Sequence, residues 1–149
     1  MSQTSKVCEP GPDDLRLPGM AGKSPDAVRI LYVEDDPTSA RLVKAIAEKE
    51  GYAIDLVATE KECLKSVAED PPDLFLIDLT LPDASGLDLL QVLRLRDINT
   101  PAIFLTGRTD DAARSRAMAL GCCAFLNKPV QGESLVSAIR AVVDAGPGT

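Results

Sequence analysis

Four short apolar runs of this chain each end on a polar group. Val28-Arg29-Ile30-Leu31-Tyr32-Val33 runs into Glu34-Asp35-Asp36. Leu74-Phe75-Leu76-Ile77 ends on Asp78, Ala102-Ile103-Phe104-Leu105 ends on Thr106, and Ala124-Phe125-Leu126-Asn127 ends on Lys128-Pro129. If the runs are strands of an open parallel α/β sheet, their C-terminal ends form one edge, where such folds bind ligands. Three or more acids, a hydroxyl and an ammonium then converge, a set that suits a divalent cation and a phosphoryl group. Two carboxylates about 4 Å apart repel by roughly 4 kcal/mol at an effective dielectric near 20, and a cation relieves this. Glu34, Asp35 and Asp78 offer the hard oxygens that Mg²⁺ prefers, and Mg²⁺ keeps waters and a substrate phosphate beside them. Asp36, followed by Pro37, suits the cap of the next helix.

Asp78 is the best nucleophile in this set. A carboxylate can attack a phosphoryl group and hold it as an acyl phosphate. A metal there withdraws charge from the phosphoryl oxygens. Thr106 can hydrogen-bond one of those oxygens and Lys128 can pair with another. The chain contains no histidine. That removes Ser-His-Asp and Cys-His catalysis and His-ligated metals, and it leaves phosphoryl chemistry to a carboxylate or a hydroxyl.

The elements that must position these groups alternate in type. Strands are expected at Val28 to Val33, Ala53 to Ala58, Asp73 to Asp78, Ala102 to Leu105 and Cys123 to Leu126. Helices are expected at Thr38 to Glu50, Thr59 to Glu69, Gly86 to Arg96, Asp110 to Leu120 and Glu133 to Asp144. Leu42, Val43, Ile46 and Ala47 have helical spacing and Gly51 stops their helix. Thr59 with Glu62 reads as a capping box, Pro71-Pro72 breaks the second helix, and Gly121 ends the fourth. Five strands alternating with five helices imply a parallel sheet covered on both faces. Residues 1 to 27 carry four prolines and three glycines with little apolar periodicity, and read as a flexible tail.

Bulk properties agree with one globular unit. The chain has 149 residues, 45% of them apolar, enough for a real core. Its net charge of −7 and isoelectric point near 4.6 argue against binding a nucleic-acid backbone directly. No run is long enough to span a membrane, and no apolar signal core stands at the N-terminus. A cytoplasmic location is expected. Cys8, Cys63, Cys122 and Cys123 form no C-x-x-C pair, so they read as small buried or half-buried thiols and not as a zinc site.

The ordered set Val33-Glu34-Asp35-Asp36, Asp78-Leu79-Thr80-Leu81-Pro82-x-x-x-Gly86, Leu105-Thr106-Gly107 and Lys128-Pro129 resembles the receiver domain of two-component response regulators, in its single-domain, chemotaxis-regulator-like form. The resemblance covers residues 28 to 145. It implies a flavodoxin-like (βα)5 doubly wound fold with strand order 2-1-3-4-5. It implies that Asp78 accepts a phosphoryl group from a histidine kinase or a phosphotransfer protein. It further implies that Asp35 and Asp78 bind Mg²⁺ directly, that Glu34 helps mainly through water, and that the Thr80 carbonyl completes the protein ligands. Thr106 matches the switch hydroxyl, Lys128 the phosphate-binding lysine, and the Lys128-Pro129 bond is expected to be cis. The switch aromatic, often Tyr, is Phe125 here, which lacks a hydroxyl to donate.

The expected function is therefore a phospho-acceptor that switches the binding of a downstream protein, and not an enzyme. Two alternatives are a receiver-like module that works without phosphorylation and a haloacid-dehalogenase-type phosphatase. In the latter the nucleophile normally closes the first strand and the acidic pair follows the lysine, the reverse of the order here. The partner face is expected on the last strand and the last two helices. Val136, Arg140 and Val143 form a second stripe there, beside the core stripe Leu135, Ala138, Ile139 and Val142, and suit a dimer or partner contact.

Overall fold

The computed structural model describes residues 28–107 and 111–145. Five strands and five helices alternate: β1 (Arg29–Val33), α1 (Pro37–Lys49), β2 (Ala53–Val57), α2 (Glu60–Glu69), β3 (Leu74–Asp78), α3 (Gly86–Leu95), β4 (Ala102–Thr106), α4 (Asp111–Ala119), β5 (Ala124–Asn127) and α5 (Gly132–Ala145). All pairings are parallel and the strand order is β2-β1-β3-β4-β5. This is the flavodoxin-like order that the resemblance implied. The order places β1 and β3 side by side at the centre, so the acids at their ends are neighbours. The predicted tail at residues 1 to 27 lies outside the described residues.

Strand alternation divides the core in two. Leu31, Val33, Phe75, Ile77, Phe104 and Phe125 face α2, α3 and α4, where they meet Cys63, Val67, Leu90, Leu93 and Ala117. Ile30, Tyr32, Leu74, Leu76, Ile103 and Leu105 face α1 and α5, where they meet Val43, Ala47, Leu135 and Ile139. β3 and β4 are buried along their whole length, as parallel strands covered on both faces must be. β2 is an edge strand, and Ala53, Asp55 and Leu56 of it are exposed.

The helices start where their side chains satisfy the first backbone N–H groups. Asp36 caps α1, accepting from the Ser39 backbone N–H and hydroxyl at 3.2 and 2.9 Å, and Pro37 opens the first turn. Thr59 caps α2 through the Glu62 N–H at 3.1 Å. The return arm of the expected box lands one residue early: Glu62 Oε1 accepts from Ala58 at 2.8 Å, not from Thr59. Gly51 and Gly121 follow α1 and α4 with φ of 92° and 86°, a region that favours glycine.

Most boundaries fall within one residue of the sequence reading. β4 includes Thr106 and β5 runs one residue later than expected, because Thr106 and Asn127 are still paired in register. The polar group that ends β4 is therefore part of the ladder. The predicted start of α4 at Asp110 lies outside the described residues.

Candidate functional site

Glu34 and Asp35 follow β1 directly, and Asp78 is the last residue of β3. One carboxylate oxygen from each lies within 4.8 Å of the others. Glu34 and Asp78 are buried, at 4% and 8% exposure, while Asp35 is open to solvent. The burial comes from the topology: β1 and β3 are flanked by β2 and β4, so their ends sit at the centre of the sheet edge.

Lys128, just after β5, reaches the same point. Its Nζ donates to Glu34 Oε1 and lies 3.5 Å from Asp78 Oδ2. Lys128 is set there by its own backbone, whose N–H donates to the Thr106 carbonyl at 2.6 Å. The peptide bond to Pro129 is cis. Thr106, buried at the end of β4, lies one strand from Asp78, which pairs across with Leu105. Thr80 stands two residues after Asp78, in the loop that follows β3. All six residues singled out around the phosphoryl site are thus at or beside one edge.

Glu34 is the most heavily bonded of the acids. Tyr32 Oη donates to its Oε1 at 2.9 Å, Lys128 donates to the same oxygen, and the Asp36 N–H donates to Oε2 at 3.1 Å. Tyr32 was not singled out in the sequence. The available signal was its position two residues before Glu34, which on a strand puts both on one face.

The electrostatics follow from this crowding. Burial, and then the Glu34 charge, push the Asp78 carboxyl up to about 6, with Lys128 and the Thr80 N–H opposing. Burial alone would lower the Lys128 pKa, but its bond to Glu34 and the Asp78 charge more than offset this, and it lies above the ordinary value. Tyr32 is raised by burial and by Glu34, so its phenol keeps its proton. One ammonium thus serves two buried carboxylates. The donor set fits Mg²⁺: three hard oxygens converge, and the exposed Asp35 leaves a side open to water.

The loop after β3 is held from two directions. Gly86, at the first position of α3, packs on the backbone of Asp78. A methyl group there would run into the Asp78 carbonyl oxygen and lie 2.9 Å from Ile77 Cγ2. Asp83 reaches across to α2, accepting from the Glu60 and Lys61 N–H groups at 2.9 and 3.2 Å. Both contacts fix the segment that carries Asp78 and Thr80.

Phe125 is turned inward and buried, 6.2 Å from Phe104 between ring centroids, with the Arg114 guanidinium 5.6 Å from its own. The stripe on α5 lies partly outside the core: Val136 and Val143 are half-buried and Arg140 is exposed. Val143 packs against the α1/α5 core, and Arg140 donates to Glu50 of α1 at 2.7 Å. Val136 lines a groove with Ile46 and Lys49. Cys63 and Cys122 are buried, and burial pushes the Cys63 thiol up to about 12. Cys123, just before β5, is exposed. None of the described helices is long and apolar enough to cross a membrane.

The model of the response regulator receiver domain matches residues 30–140. The chain belongs to this family. Among curated relatives, the transcriptional regulatory protein TrcR of Mycobacterium tuberculosis is 30% identical over 86% of this chain and 50% of its own. The DNA-binding response regulator MtrA of Mycolicibacterium smegmatis is 34% identical over 76% of this chain and 49% of its own. The chain therefore spans about half the length of these relatives. A CheY-like response regulator receiver domain protein of Methanospirillum hungatei superposes with a TM-score of 0.73 at 32% identity, covering 79% of this chain and 94% of that one. The receiver domain of a signal transduction histidine kinase of Syntrophus aciditrophicus gives 0.74 at 30% identity, over 83% and 95%. The receiver domains of this family are signalling modules of two-component systems. Membership sets aside the haloacid-dehalogenase-type arrangement.

Proposed function

We propose that this receiver domain is an Mg²⁺-dependent phospho-acceptor, with Asp78 as the residue that takes the phosphoryl group from a histidine kinase or a phosphotransfer protein. The observation that carries this reading is the meeting of Asp78, Glu34, Asp35 and Lys128 at the end of the sheet. A structural ion pair does not need a third acid open to solvent beside two buried ones. A phospho-acceptor does, because metal and donor must both enter.

In the proposed step an Asp78 oxygen attacks the phosphorus of a phosphohistidine. A P–O bond forms, the P–N bond breaks, and the imidazole leaves with the electron pair. Asp35 and Asp78 would hold the metal directly, Glu34 through water, and the Thr80 carbonyl would complete the protein ligands. The full set of donors already on Glu34 supports an outer role for it. A bound Mg²⁺ withdraws charge from the phosphoryl oxygens. Lys128 moves its hydrogen bond from Glu34 to a phosphoryl oxygen, and Thr106 donates to another. The new charge, roughly −2, biases Thr106 and the buried Phe125. A downstream protein then reads the face formed by α4, β5 and α5, the same face a dimer would use. The reading includes residues 28 to 145 as the receiver and residues 1 to 27 as its tail, a cytoplasmic setting, no direct contact with nucleic acid, and no turnover beyond slow self-dephosphorylation.

The test is phosphorylation by acetyl phosphate with Mg²⁺, followed by mapping of the acid-labile adduct. Modification at Asp78, abolished in Asp78→Asn and Asp35→Ala and by excess chelator, is expected. An adduct that persists in Asp78→Asn overturns the reading.

A further inference from the structure

Tyr32 is fully buried near the C-terminal end of β1, and its ring belongs to the core between the sheet and helices α1 and α5. A phenylalanine would fill the same volume. A buried hydroxyl is costly unless it is paired, and this one donates to Glu34 Oε1. The three donors on Glu34 come from three places: the strand below it, the loop after it, and Lys128 beyond β5. Together they leave the carboxylate one orientation. Lys128 also leans toward Asp78 and is free to leave with a phosphate, and the Asp36 N–H sits in a solvent-exposed loop. The Tyr32 hydroxyl is the donor that is anchored in the core.

We propose that Tyr32 is a positioning residue for the metal site: its hydroxyl fixes the Glu34 carboxylate, and Mg²⁺ affinity depends on that hydrogen bond. This rests on the magnesium-dependent reading above and deepens it. Losing a group that orients a metal-site carboxylate from behind typically costs about 10- to 100-fold in metal affinity.

The composition provides a direct probe. The chain has two tyrosines and no tryptophan. Tyr52 precedes β2, at the opposite edge of the sheet, beside the end of α1. A near-ultraviolet difference spectrum on adding Mg²⁺ therefore reports Tyr32. The parent protein is expected to show a tyrosine perturbation that saturates with Mg²⁺, and Tyr32→Phe is expected to lack it. By isothermal titration, Tyr32→Phe is expected to bind Mg²⁺ about tenfold more weakly, the size seen when a supporting partner is lost. In a Glu34→Gln background the same substitution is expected to change the affinity little, because the carboxylate it orients is gone.

An affinity in Tyr32→Phe within about twofold of the parent overturns the proposal. So does an equal loss in the Glu34→Gln background, which is the signature of a role in folding alone. If Tyr32→Phe does not fold, the parent's spectrum decides: an Mg²⁺ titration without tyrosine perturbation rejects the assignment. A parent that binds Mg²⁺ with the tyrosine signal but takes no phosphoryl group sinks the phospho-acceptor reading and supports this one. A parent that binds no Mg²⁺ overturns both.

Discussion

Lys128 bonds Glu34 more closely than it approaches Asp78, whose Oδ2 lies 3.5 Å from its Nζ. Glu34 and Lys128 are 94 positions apart in the chain, and the Glu34 side chain is 1% exposed. The ammonium is thus held on the acid of β1, next to the proposed acceptor, and has a short distance to travel when a phosphoryl group arrives.

Removing that ammonium leaves two buried carboxylates unbalanced. Lys128→Ala is expected to lower stability by about 3 kcal/mol without metal, the usual cost of breaking a buried pair. Mg²⁺ is expected to restore much of this, because it neutralises the same acids. Urea melts with and without Mg²⁺ check both parts. A loss that Mg²⁺ leaves untouched would contradict the shared role. Phosphorylation should persist in reduced form, with weaker binding of the downstream partner.

Asp78→Asn is expected to act in the opposite direction. The folded state disfavours the ionised Asp78, through burial first and Glu34 second. Its folded pKa is raised, so near neutral pH the charge is a burden on folding. Neutralising it is expected to stabilise the metal-free protein by roughly 1 to 2 kcal/mol, less than the full shift because the approach of Lys128 is lost too. Thermal melts in chelator check this, and a lowered melting temperature contradicts it.

Gly86→Ala tests the seating of Asp78. The added methyl meets the Asp78 carbonyl and the Ile77 side chain. Overpacking against backbone is expected to cost about 2 kcal/mol or more, and the shift falls on the acceptor. Amide shifts in NMR spectra should change most at Ile77, Asp78 and Leu79. Changes confined to α3 would argue that the helix moves instead.

Asp83 gives a pH dependence away from the metal. The Glu60 and Lys61 N–H groups hold its carboxyl below the ordinary range. A depressed acid contributes stability above its unfolded pKa, about 3.9, and loses it as pH falls through the folded value. The stability gap between the parent and Asp83→Ala is expected to be constant from pH 7 to about pH 5 and to narrow progressively as pH falls below about 4. Chemical denaturation across that range measures it, and a gap that does not begin to narrow as pH falls below about 4 rejects the tether.

Much of the site was legible because strands hide their neighbours but expose their ends. Apolar runs ending on Asp78, Thr106 and Lys128, after the Glu34-Asp35 pair, could be read without a structure, as could the five βα repeats. Helix caps were also visible, since Asp36, Thr59, Gly51 and Gly121 act on residues only a few positions away. Such features depend on local chemistry, which the order of residues states directly.

Other relationships are contacts across the sheet, and the order of residues does not state them. Nothing in a linear reading decides that Lys128 rests on Glu34, that Asp83 accepts from the first turn of a helix 23 residues earlier, or that Arg140 donates to Glu50 of α1. The second stripe on α5 has the period of a partly outward face, and the fold leaves Val136 and Val143 half-buried, Val143 against the core shared with α1. Tyr32 shows the same limit at the site itself. Its type and position allow a core residue or a bond to Glu34, and only the packing of β1 between β2 and β3 makes it both, by burying the hydroxyl where a carboxylate is the acceptor at hand.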